Sequence, residues 1–135
     1  MHTLPLYRQL TQFFSRGDES VVCAYLFGSQ ARGTAHHSSD ADIAVLLKNS
    51  PVSSLEGSGL DLASEIEERV CVPVDLVILN QAPVDLVHRI LRDGILLYEA
   101  DPSARIAFEV KARGTYFDLI PYLRQYRRYH PETQP

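Results

Sequence analysis

Asp40 and Asp42 stand two residues apart at the mouth of an apolar run, "DIAVLL" (42–47). Side chains alternate along a strand, so this spacing predicts both carboxylates on one side, about 6.6 Å apart along the chain. Two carboxylates held this way can bracket a cation. An oxygen-only donor set suits magnesium or manganese, and magnesium commonly shares its shell with water and substrate phosphates, which implies a nucleoside triphosphate. Asp75 is the one charge inside "VPVDLVIL" (72–79). A carboxylate in a buried run is costly unless it is paired or coordinates a metal. If that strand lies beside 42–47, Asp75 can converge with Asp40 and Asp42 on one metal pair. A phosphate cradle is expected at Gly28-Ser29, directly after the apolar run "VVCAYLF" (21–27). Glycine there admits close backbone approach, and free N–H groups together with the Ser29 hydroxyl can bind anionic oxygens. Arg32, one turn on, can add charge to the same phosphate tail.

The histidines of the same stretch read differently. His36 and His37 are consecutive, so in an extended loop they point to opposite sides, and neither has a partner at HxxxH spacing. They are read as exposed loop residues, and His88, on the inner stripe of a helix, as a core or interface histidine. Cys23 and Cys71 lack any CxxC or Cys/His spacing and are expected to be buried free thiols.

These candidates must be positioned by a small set of elements. Leu6, Leu10, Phe13 and Phe14 mark a first helix, and 21–27 and 42–47 read as buried strands, with a polar loop between Gly28 and Ala41. A surface loop, "KNSPVSSLEGSG", precedes a helix in which Leu60, Ala63, Ile66, Glu67 and Val70 follow helical spacing, with acids on the outer face. The 72–79 strand follows, then a helix with Pro83 at its first position and a stop at Gly94, and the short strand "ILLYE". Asp101 and Pro102 open a long amphipathic segment, 101–130, in which either Ile106, Val110 and Arg113 or Phe108, Ala112, Tyr116, Leu119, Leu123 and Tyr126 form an apolar row, and which Gly114 and Pro121 should bend or interrupt. The order α-β-loop-β-α-β-α-β-α predicts a small α/β or α+β fold, a mixed sheet flanked by helices, in one domain over 1–135.

Composition excludes some functions. Of 135 residues 45% are hydrophobic, enough for a substantial core, and the net charge is −4. Acids outnumber bases over the first hundred residues, which makes a poor platform for a long nucleic acid, whereas bases dominate from 105 to 130. No apolar run approaches the length of a membrane span and no signal peptide opens the chain, so a cytosolic location is expected. The C-terminal tyrosines Tyr116, Tyr122, Tyr126 and Tyr129, interleaved with Arg124, Arg127 and Arg128, either cap the core or form a docking surface.

"GSQARGTAHHSSDADIAVLL" followed by "PVDLVIL" resembles the signature of the polymerase-beta-type nucleotidyltransferase superfamily, and in this compact form is similar to minimal nucleotidyltransferase (MNT) domains. The specific motifs cover 21–79. Such domains serve as MntA-like antitoxins of type VII toxin–antitoxin systems, partnered with HEPN-domain ribonuclease toxins in hetero-oligomers. The resemblance implies transfer of AMP from ATP to a toxin tyrosine hydroxyl. Gly28 and Ser29 would bind the β and γ phosphates, Arg32 would add a phosphate contact, and Asp40 and Asp42 would hold two magnesium ions. Asp75 would complete the catalytic-metal site and take the acceptor proton. Two alternatives stay open: an antitoxin acting by occlusion without catalysis, and a transferase for a small molecule of the aminoglycoside type.

Overall fold

The computed structural model describes residues 3–17, 20–28, 31, 40–49 and 58–129. Within them the elements follow in the order α1 (Thr3–Ser15), β1 (Val21–Phe27), β2 (Ala41–Leu47), α2 (Ser58–Val70), β3 (Val74–Ile78), a 3₁₀ turn (Leu79–Gln81), α3 (Val84–Asp93), β4 (Ile95–Glu99) and α4 (Pro102–Tyr129). The four strands form one mixed sheet in the order β3-β2-β1-β4, with β1 antiparallel to both β2 and β4 and β3 parallel to β2. The expected α/β architecture is thus observed. Among the described residues no helix is long and apolar enough to cross a membrane.

The sheet separates two apolar layers because its side chains alternate. On one face Ala41, Ile43, Val45 and Leu47 of β2 meet Leu6, Leu10 and Phe14 of α1 and Leu62, Ile66 and Val70 of α2. On the other, Ala44 and Leu46 join Val22, Cys23 and Tyr25 of β1 beneath Val87 and Ile90 of α3, with Phe108 and Ala112 of α4 closing the edge. Val22 and Cys23 face the same layer because the β1–β2 register shifts between Val21 and Cys23. Such a bulge adds one residue and re-aims the side chains beyond it.

Several sequence expectations change here. The 72–79 run contributes a shorter strand, Val74–Ile78, and its last residue Leu79 is buried in the 3₁₀ turn. Pro83 is the N-cap of α3 rather than its first helical residue. Neither Gly114 nor Pro121 interrupts α4, which runs 28 residues. Both thiols are free, but only Cys23 is buried; Cys71 is exposed at a left-handed turn (φ 60°) that ends α2.

The two alternative rows of α4 are also decided. Phe108, Ala112, Tyr116, Leu119 and Leu123 are partly covered, while Tyr126, at the end of the same row, is exposed and Ile106, Val110 and Arg113 face outward. A polar latch fastens the first half of the helix: Tyr25 donates to Glu109 (2.6 Å), Arg105 donates to Glu109 (2.7 Å) and also pairs with Glu99 of β4. Burial and this acceptor push the Tyr25 hydroxyl far above its ordinary pKa. Burial alone would raise Glu109, but the hydrogen bonds from Tyr25 and Arg105 outweigh it and leave the carboxyl below its usual value. Farther along, Tyr116 stacks on His88 of α3 with ring centroids 3.7 Å apart and planes within 3°. His88 is therefore an interface histidine, as its helical stripe suggests.

Candidate active site

Three strand ends meet at one edge of the sheet. β1 finishes there at Phe27, β2 starts there at Ala41, and β3, parallel to β2, starts beside it at Val74. The backbone N–H of Ala41 donates to the Pro73 carbonyl (2.8 Å), which ties the two strand entrances together. Glu67 of α2 accepts from the Val74 N–H at 2.9 Å and pins the first residue of β3 against the helix below. The sequence sets Glu67 at the helical spacing of Leu60, Ala63, Ile66 and Val70 without revealing this contact, which depends on where β3 returns after the Cys71 turn.

This framework sets the carboxylates. Asp42 pairs with Phe27 on the β1 side and with Asp75 on the β3 side. Residues in register on adjacent strands project to the same face at a spacing of about 4.8 Å. Asp42 and Asp75 are therefore lateral neighbours, as the sequence spacing required if β3 lay beside β2. Asp40 is exposed at the entrance two residues before Asp42. Among the described residues no three His, Cys, Asp or Glu side chains stand close enough together to enclose a metal ion. The sheet thus brings Asp42 and Asp75 side by side and leaves Asp40 at the approach. Contrary to the burial expected from the apolar run around it, Asp75 is exposed on an edge strand, so burial is not what singles it out. Its register beside Asp42 does.

Gly28 completes the described part of the site. It adopts φ +73°, which favours glycine, and a Cβ built on it would lie 2.1 Å from Oδ2 of Asp42. Glycine here lets the half-buried Asp42 carboxylate pack directly on the backbone that leaves β1. Ser29, Arg32, Gly33, His36 and His37 lie outside the described residues.

A strand, a glycine with a carboxylate against it, a second strand opening on that carboxylate, and a third strand supplying a neighbouring acid form a contiguous motif. The family model of polymerase beta nucleotidyltransferases matches residues 8–103, which takes in all of it. The chain belongs to this family. This nucleotidyltransferase is 33% identical over 96 residues to protein adenylyltransferase MntA of Shewanella oneidensis strain MR-1, a match covering 70% of the chain and 66% of that protein, slightly under two thirds. It superposes with TM-score 0.72 and 25% identity on a chain from the crystal structure of a toxin–antitoxin with AMP-PNP, covering 93% of the one and 95% of the other. A chain in the complex of tri-AMPylated Shewanella oneidensis HEPN toxin with MNT antitoxin shares the fold at TM-score 0.68 and 22% identity, over 96% of each chain.

Proposed function

We propose that the chain is an antitoxin that transfers AMP from ATP to a tyrosine hydroxyl of a HEPN-type toxin and so silences it. The observation that carries this reading is Asp42, lodged against Gly28 and in register with Asp75. The names of its relatives support the acceptor class: a protein adenylyltransferase, and a toxin–antitoxin with AMP-PNP. The toxin partner, the hetero-oligomer, ATP as donor and a cytoplasmic location all belong to this proposal.

Asp40, Asp42 and Asp75 offer carboxylate oxygens only, which fits magnesium and, with a similar preference for oxygen, manganese. Once bound there, a magnesium pair would supply Lewis-acid neutralisation of phosphate charge. Gly28 is assigned to the β and γ phosphates, because its half-buried backbone follows β1 directly and carries no side chain to keep an anion away. Ser29 and Arg32 are assigned to the same phosphates on sequence grounds. In the reaction the tyrosine oxygen forms a bond to the α phosphorus while the bond to pyrophosphate breaks, in line. The phenolic proton passes to Asp75, whose exposure on the edge strand leaves it open to a large acceptor. Phenols lose their proton near pH 10, so this base is needed near neutrality.

The test is incubation of the chain with its cognate toxin, magnesium and labelled ATP, followed by mass mapping of the modified residue. Label on a toxin tyrosine with wild type and none with the Asp40→Ala/Asp42→Ala pair is expected. Equal labelling by both would sink the assignment. Toxin neutralisation by the unreactive variant would favour occlusion.

A further inference from the structure

Among the described residues the face of α4 turned away from the sheet has no partner, and its chemistry is symmetrical about one residue. Gly114 lies in the middle of the helix, and a Cβ built on it meets nothing within 4 Å. A glycine in an exposed helix interior is destabilising by about 1 kcal/mol relative to alanine, and no contact among the described residues requires it. On the same outward face, four residues before and three after, Val110 and Phe117 are 64% and 63% exposed, and Ile106, one turn further back, is 51% exposed. Ala107 is exposed on this face as well. Positions 107, 110, 114 and 117 alternate in steps of three and four, the spacing of a helix-pairing seam.

We infer that this face is the contact between two copies of the chain, whose α4 helices pack antiparallel and cross at Gly114. Charge placement selects this occupant. Along one flank of the seam lie Lys111, three residues before Gly114, and Asp118, four after it, both exposed and neither in an ion pair among the described residues. An antiparallel pair centred on Gly114 sets Lys111 of each copy beside Asp118 of the other. The same symmetry sets Phe117 of one copy on Val110 of its neighbour. Arg113, which meets its own equivalent, already donates to Glu109 within its helix. A missing Cβ at the crossing lets the two backbones approach closely. A single helix pair is a small interface, so the association is reversible. It does not depend on the catalytic reading.

Sedimentation velocity of the full chain over a concentration series tests this. Wild type is expected to show a reversible monomer–dimer equilibrium, and Val110→Glu to raise the dissociation constant at least tenfold with an unchanged circular dichroism spectrum. Lys111→Asp and Asp118→Lys should each weaken the dimer, and the double variant should recover it, because both pairs are then reversed together. In a Cys71→Ser background, Gly114→Cys should form a covalent dimer on oxidation. A chain that stays monomeric throughout would overturn the inference, as would a double variant no better than its parents. Protection of this face only by the cognate toxin would overturn it as well and assign the face to that partner.

Discussion

At the scale of single residues, Gly28 and Asp42 form a unit in which each constrains the other. A methyl group at position 28 would collide with Oδ2 of Asp42 and would also have to sit at φ +73°. Gly28→Ala is expected to lose about 1–3 kcal/mol, measurable as a lower denaturant midpoint, and to displace the carboxylate even where the chain still folds. Asp75→Asn should behave in the opposite way. The side chain is exposed on an edge strand, so stability should change by less than about 0.5 kcal/mol, while AMP transfer falls at least 100-fold. Parallel melting curves and labelling assays separate the two cases. A large loss of stability in Asp75→Asn would mean that the residue serves the fold.

Between elements, the latch from Tyr25 through Glu109 to Arg105 ties α4 to β1 and β4, and its stability depends on charge. Glu109 has a lowered folded-state pKa, so its contribution is complete above the unfolded value of about 4.3 and is lost as pH falls through the lower folded value. Wild type should therefore lose stability along an acid limb that Glu109→Gln lacks, as thermal melts between pH 3 and pH 7 would reveal. Equal acid limbs in the two proteins would show that the latch does not couple to protons. The second tie is the ring stack, and His88→Ala should lose about 1 kcal/mol through Tyr116.

Across the whole molecule, α4 divides into a fastened half and an outer half. Among the described residues, those of α4 in the second apolar layer, Ala104, Phe108 and Ala112, all precede Gly114. A chain ended after Gly114 is expected to keep its sheet and both layers, with a melting temperature lowered by a few degrees for the lost Tyr116–His88 stack. Circular dichroism and a thermal melt are sufficient to check it. A chain that fails to fold would show that Leu119, Ile120 and Leu123 belong to the core. The exposed Tyr122 and Tyr126 favour the view that this distal half presents a surface rather than caps one.

Local rules carried much of this protein. Alternation and the three-to-four spacing are properties of a few consecutive residues, so the strands at 21–27 and 42–47, the helices and the Asp40-x-Asp42 pair were legible in the sequence. Gly28 was legible through its position after an apolar run. What the chain order could not express is which strands lie side by side. The pairing of Asp42 with Asp75 joins segments more than thirty residues apart in the chain, and it depends on β3 returning parallel to β2 with Glu67 holding its first N–H. The same holds for the edge position that leaves Asp75 exposed, for the Tyr25–Glu109–Arg105 latch, and for the choice of which apolar row of α4 faces the sheet. Each is a contact between surfaces, and only the assembled layers decide which surfaces meet.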